Sequence, residues 1–231
     1  MKPIIGIVGR CGFTTSDEVN NIRVAEKYRI CIIKSGGIPI GIMPPQLVEY
    51  QDSAPSGLAR LTIEEKEILT RQLDMCDGIL IPGGLKRFEY DIFILKYALE
   101  KNIPILGICL GMQILTMIDE EGNQILNLEE IMSSNHAQYD NNLAHNVNIS
   151  KKSKLYSIIG KDKFMVNSRH RMMVTNPSLF TVYGRSDDGV IELIERHDKK
   201  FAIGVQWHPE MMLDDKDQMK IFDSFVDACR E

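Results

Sequence analysis

No two cysteines in the 231-residue sequence stand as C-x-x-C. The five, Cys11, Cys31, Cys76, Cys109 and Cys229, are odd in number and widely spaced. That excludes a disulfide framework and a zinc module and points to a reduced, cytoplasmic chain. Basic clusters are missing too. The net charge is −5, the pI is about 5.6, and the densest basic run is Lys151, Lys152 and Lys154, read as a solvated loop. A nucleic-acid footprint would need a clustered basic face. No apolar run approaches membrane-spanning length, and the run between Met1-Lys2-Pro3 and Arg10 is too short for a signal-peptide core. There is no internal repeat and no low-complexity segment. What remains is an ordinary globular composition, 44% hydrophobic and 26% charged, in a chain long enough to bury a substantial core without staples. The expectation is a single domain over 1–231.

The pattern predicts strands at Ile4 to Val8, Ile38 to Met43, Gly78 to Ile81 and Pro104 to Ile108. Helices are expected over Ile22 to Ile33, from the Thr62/Glu65 capping box to about Met75, over Phe88 to Lys101, and over Leu110 to Met117. A polar loop with Asp52, Ser53, Pro55 and Gly57 separates two of these units. Strands alternating with helices imply parallel βαβ units. After Gly122 short strands dominate, at Ala144 to Ile149, Phe180 to Arg185, Val190 to Glu195 and Phe201 to Gln206, with a hairpin turn at Asp187-Asp188-Gly189. A last helix covers Asp215 to Cys229. The fold class read from this is α/β, a three-layer sandwich with a central, mostly parallel sheet and a smaller antiparallel portion.

The strongest local signal is Gly107-Ile108-Cys109-Leu110-Gly111, a G-x-C-x-G turn between a buried strand and a helix. It resembles a nucleophile elbow with cysteine in place of serine. Flanking glycines remove Cβ atoms that would strike neighbouring backbone. The new helix points free N–H groups and its positive end at the sulfur, favouring thiolate, and the N–H of Leu110 can face a developing oxyanion. Taken alone, the segment also fits a buried structural cysteine between packing glycines. A second signal is Trp207-His208-Pro209-Glu210 at the end of an apolar strand. In an extended run, side chains 208 and 210 leave the same face, so Glu210 could orient the imidazole toward a thiol. Pro82-Gly83-Gly84 lies at the carboxyl end of a strand, where ligands bind in parallel sheets; alone it fits a plain loop equally well.

The order of these pieces resembles the class I glutamine amidotransferase superfamily, whose fold is flavodoxin-like. The wider match is to its free-standing γ-glutamyl hydrolases, the peptidase C26 group, and most of all to the γ-glutamyl-γ-aminobutyrate hydrolase type. It is carried by Pro3 to Ile7, Ser35 to Pro39, Asp77 to Gly84, Val166-Asn167-Ser168-Arg169-His170 and Gly204 to Glu210. The resemblance implies a triad of Cys109, His208 and Glu210, and oxyanion donors at the N–H groups of Gly84 and Leu110. It also implies glutamyl binding by Gly83, Gln113, His170, Arg171 and Met172. The activity it implies is hydrolysis of a small γ-glutamyl amine through a γ-glutamyl thioester, without metal or organic cofactor. The alternative is a glutaminase component feeding ammonia to a separate synthetase. Neither nucleic acid nor membrane is an expected partner; a homodimer is left open.

The sequence departs from the C26 pattern at His170-Arg171-Met172, where a Gln commonly follows the histidine, and in Leu85 to Asp91, which lacks the usual Asp and Pro. These changes bear on substrate identity. One of Arg169 and Arg171, with Arg10 or Arg87, is a candidate for an anionic leaving group. His136 and His145, near Asn135, Tyr139, Asp140, Asn141 and Asn142, show no metal-ligand spacing and are read as a polar loop near the cleft. Cys11, Cys31, Cys76 and Cys229 are read as packed thiols, and Met172, Met173, Met211 and Met212 as core or pocket lining.

Overall fold

The computed structural model describes residues 1–12, 21–46, 60–140 and 143–230. Nine strands form one sheet: β1 (Ile4–Val8), β2 (Ile38–Ile42), β3 (Gly78–Ile81), β4 (Ile105–Ile108), β5 (His145–Ile149), β6 (Lys163–Val166), β7 (Thr181–Ser186), β8 (Ile191–Glu195) and β9 (Ala202–Val205). Their spatial order is β6-β5-β7-β8-β9-β4-β3-β1-β2. Pairings from β2 through β9 are parallel and those from β9 to β6 antiparallel. The change of grammar after Gly122 is this change of direction.

Strands β3, β4 and β9 are buried at every position. That explains their continuous apolar runs, because a central parallel strand must be covered on both faces. Helices α1 (Glu26–Lys34), α5 (Lys154–Ile159) and α6 (Lys216–Ala228) cover one face; α2 (Ile63–Leu73), α3 (Glu89–Lys101) and α4 (Leu110–Leu115) cover the other. The Thr62/Glu65 capping box forms, with Glu65 N donating to Thr62 Oγ1 at 3.1 Å and Thr62 N to Glu65 Oε2 at 2.7 Å. Among the described residues, no helix is long and apolar enough to cross a membrane.

Several elements differ from the sequence expectation, among them the unexpected paired strands Leu128–Glu130 with Met172–Val174 and Ala137–Gln138 with Ser168–Arg169. Residues 22–25 are not helical: Asn21–Arg23 pairs antiparallel with Arg10–Gly12, and Ile22 packs over Gly9. The apolar stripe that suggested a longer helix is partly a strand. Lys154 is not in a loop but opens α5, where Ser153 Oγ accepts from Tyr156 N and the buried Glu195 carboxylate takes the N–H groups of Lys154 and Leu155. A six-residue helix is too short to announce itself by periodicity. Strand β6 has no counterpart among the expected strands. The polar loop at 52–57 lies outside the described residues.

Register places the chemistry. Ile81 stands opposite Gly107, and Ile108 opposite Val205, so β3, β4 and β9 end together and release Gly83, Cys109 and His208 from neighbouring strand ends. The elbow glycines set how close α4 lies to the sheet. A Cβ on Gly111 would stand 1.9 Å from the Ile81 carbonyl oxygen, and one on Gly107 2.7 Å from Gly111 backbone. A second device holds the loop after β3. Arg10 Nη1 donates to Asp91 Oδ1 at 2.6 Å and Nη2 to Pro82 O at 3.2 Å, while Phe88 N donates to Asp91 Oδ2 at 2.9 Å. Arg10 and Asp91 are 7% and 0% exposed, so neither charge has water as a substitute partner. Asp91→Ala is therefore expected to lower unfolding free energy by about 3–5 kcal/mol, and Gly111→Ala by about 3 kcal/mol or more. Chemical denaturation measures both; losses below about 1 kcal/mol would show that the loop and the elbow relax more freely than this packing allows.

Candidate active site

Cys109 sits between β4 and α4 with φ 54° and ψ −107°. This conformation costs a non-glycine residue about 1–3 kcal/mol and persists only where the surroundings impose it. Here β4 fixes one side, with Cys109 N donating to Val205 O at 2.8 Å, and α4 fixes the other, with Gln113 N donating to Cys109 O at 3.1 Å. The residue is buried, 7% exposed.

His208 stands beside Cys109, whose sulfur acts on the ring electrostatically, and its Nδ1 faces Glu210 Oε1 at 2.6 Å. The route to this arrangement differs from the extended run expected from sequence. Pro209–Met211 is a 3₁₀ turn, and the turn brings residues 208 and 210 side by side. Asn167 holds His208 at both backbone atoms, donating from Nδ2 to His208 O at 2.7 Å and accepting from His208 N at 2.8 Å. Burial opposes a charge on the ring, but the Glu210 carboxylate and the Cys109 sulfur outweigh it and hold His208 well above the ordinary histidine value of 6.5. The arrangement sets an imidazole that holds its proton beside a thiol. Burial instead pushes the thiols of Cys31, Cys76 and Cys229 up to about 12, 11 and 12, which leaves them poor nucleophiles.

A cleft of about 510 Å³ opens above His208, bordered by Pro82, Gly83, Gly84, Tyr28, Glu210 and Arg169 among others. Cys109 lies at its inner margin rather than on its wall. A Cβ on Gly83 would meet His208 Cε1 at 2.7 Å and Cys109 Cβ at 3.5 Å. No side chain fits there without displacing the imidazole. Gly84 and Leu110 are adjacent, a Cβ on the former falling 3.1 Å from Leu110 Cδ2.

Gln113 is buried and donates from Nε2 to Met172 O at 3.2 Å, so these two expected glutamyl contacts come together. Arg171 is exposed and its carbonyl accepts from Ile131 N at 2.8 Å. His170 turns away from the cleft into a buried cluster with His136, His145 and Glu192. The expected polar loop around His136 and His145 is thus partly interior; Asn141 and Asn142 lie outside the described residues.

Tyr28 carries no mark in the sequence. It lies on the buried side of α1, its hydroxyl accepts from Gly83 N at 3.0 Å, and it lies against Glu210. A lone tyrosine in a helical stripe gives no signal of this role. Asn167 had a signal, inside the Val-Asn-Ser-Arg-His stretch, but nothing in the sequence said which backbone it would grip.

An imidazolium acid works only while it is protonated, and the raised His208 keeps its proton as pH climbs through 6.5, so the alkaline limb of kcat/KM for any reaction it assists should lie above the ordinary histidine range. Glu210→Gln removes the largest raising influence; the limb should move down and kcat/KM fall by about 10²-fold. A limb that stays in place on measuring the pH profile of the variant would remove His208 from it.

The peptidase C26 family model matches residues 85–210. A glutamine amidotransferase-like protein of Rickettsia prowazekii is 28% identical over 99% of this chain and 98% of its own. The γ-glutamyl-γ-aminobutyrate hydrolase PuuD of Escherichia coli K12 is 28% identical over 99% of this chain and 94% of its own. Among solved structures, the glutaminase domain of Trypanosoma brucei CTPS superposes with a TM-score of 0.64 at 19% identity, covering 99% of this chain and 94% of that one. The mostly parallel sheet extended by antiparallel strands is thus the class I glutamine amidotransferase fold, and the chain belongs to the peptidase C26 family.

Proposed function

We propose that this protein is a cytoplasmic amide hydrolase that cleaves the γ-glutamyl bond of a small γ-glutamyl amine. The observation that carries the reading is the Cys109–His208–Glu210 chain at the margin of the cleft, with His208 Nδ1 2.6 Å from Glu210. Similarity to a γ-glutamyl-γ-aminobutyrate hydrolase supports the substrate class.

The Cys109 sulfur attacks the γ-carbonyl, forming a C–S bond. The N–H groups of Gly84 and Leu110 take the oxyanion; one such donor is worth about 3 kcal/mol. Collapse breaks the C–N bond as His208 gives its proton to the departing amine. A γ-glutamyl thioester remains. His208, now neutral, takes a proton from water, the hydroxide attacks the thioester, and glutamate leaves with the thiolate restored. Gln113 and the Met172 backbone hold the glutamyl end, and Gly83 contributes by leaving room for it.

The leaving group meets the arginine side of the cleft. Neither Arg171 nor Arg87 borders the cleft, and Arg10 is committed to Asp91. Arg169 borders it, with its Nε buried and unpartnered among the described residues. This leaves Arg169 as the candidate partner for an anionic tail.

The test is to incubate the purified chain alone with γ-glutamyl amides bearing neutral and anionic tails and to measure free glutamate. Turnover without a partner is expected, faster for anionic tails, with that preference reduced about tenfold in Arg169→Ala. A chain that releases glutamate only when a synthetase is added would support the ammonia-supplying glutaminase instead.

A further inference from the structure

The cluster that takes in His170 is built unlike a satisfied polar core. His136, at the end of the Ser134–His136 turn, is 0% exposed; His170 is 4% and Glu192, on β8, 0% exposed. His145 opens β5 and its side chain is 10% exposed, which leaves one side reachable from solvent. Each imidazole spends its outer nitrogen on an oxygen that can only accept. His136 Nε2 faces Asp188 Oδ2 at 3.0 Å, His145 Nδ1 faces Asn146 O at 3.2 Å, and His170 Nδ1 faces Met172 O at 3.1 Å. Those bonds require the proton on the outer nitrogen in each neutral ring. With the three rings neutral, the inner nitrogens are lone pairs, and they converge on a carboxylate that offers only lone pairs. The hydroxyl of Ser168 does not resolve this, since it donates to His136 O at 2.9 Å.

The inner atoms are His136 Nδ1, His145 Nε2, His170 Nε2 and Glu192 Oε1. From Glu192 Oε1 the three nitrogens lie at 3.4, 3.5 and 3.4 Å, and His136 Nδ1 lies 3.3 Å from His170 Nε2. All four groups offer atoms within 4.8 Å of one another. These separations exceed N–H···O bonds of about 2.7–3.2 Å. His145 Nε2 and both Glu192 oxygens have no hydrogen-bond partner among the described residues. Metal–nitrogen bonds of about 2.0–2.1 Å at tetrahedral angles put ligand atoms about 3.3–3.4 Å apart; the four separations just given match this, and His145 Nε2 lies within 4.8 Å of the other two imidazoles.

We infer that His136, His145, His170 and Glu192 form a closed four-ligand site for a divalent transition ion, Zn²⁺ by ligand type and geometry. Three imidazoles and one carboxylate suit zinc. Asp188 and the two carbonyls supply the outer partners that hold metal-binding imidazoles in place. Four protein ligands leave no position for substrate, so the ion is structural. It ties four separated segments into the wall of the cleft. Ala137–Gln138, just after His136, pairs with Ser168–Arg169, which carries Arg169. The Met172 carbonyl held by His170 also receives Gln113. The site stands whether or not the chain hydrolyses γ-glutamyl amines.

The test uses the full-length chain, stripped with a chelator and titrated with Co²⁺ and then Zn²⁺, in wild type, Cys109→Ala and Glu192→Gln. One equivalent of Co²⁺ with the intense visible bands of a four-coordinate ion is expected, unchanged in Cys109→Ala and displaced by Zn²⁺. Glu192→Gln should bind Zn²⁺ at least about 100-fold more weakly. Zn²⁺ should also raise the melting temperature of the stripped wild type. Six-coordinate weak bands, a sulfur-to-cobalt charge-transfer band lost in Cys109→Ala, no binding, or unchanged affinity in Glu192→Gln would each overturn the site. If Glu192→Gln does not fold, the wild-type cobalt spectrum decides.

Discussion

The site depends on one constraint, the in-register parallel pairing of β3, β4 and β9. Each strand is buried on both faces, so none can slip by a residue without turning apolar side chains into positions shaped for others. With Ile81 opposite Gly107 and Ile108 opposite Val205, the glycine loop, the cysteine and the histidine leave the sheet within one row. The chain separations, 25 residues from Gly84 to Cys109 and 99 from Cys109 to His208 by their numbers, vanish at that edge. The strained backbone at Cys109 is tolerated because both the strand before it and the helix after it are packed in place.

Much of this was legible in the sequence because it is written in local chemistry. The fully apolar runs of β3 and β4, the Thr62/Glu65 cap and the turn at Asp187-Asp188-Gly189 each state their structure within a few residues. So does the elbow, where both glycines have a steric reason. The misses have the opposite character. Ile22 carries an apolar side chain compatible with helix or strand, and only its pairing with Cys11 settles the matter. The roles of Tyr28, Asn167 and the Arg10–Asp91 pair depend on partners 41 to 81 residues away, and no spacing encodes them. The histidine cluster was hidden for the same reason. Its ligands come from residues 136, 145, 170 and 192, a pattern no short motif describes.

The two halves of the sheet divide the work. The parallel half presents the proposed reacting groups, Cys109 and His208, at its strand ends. The antiparallel half builds the wall facing them, through Asn167 gripping His208, Arg169 bordering the cleft, and His170 fixing the carbonyl that receives Gln113. Polar groups in this wall are buried and mutually dependent, so small changes there should alter substrate handling without disturbing the thiol itself.

In the proposed reaction Cys109 becomes covalently acylated. Mixing the chain with a γ-glutamyl amide, quenching in acid during turnover and mapping the adduct by peptide mass spectrometry tests it directly. One γ-glutamyl group is expected on the peptide containing Cys109 and none on Cys31, Cys76 or Cys229. Turnover with the adduct on another residue, or continued turnover by Cys109→Ala, would contradict it.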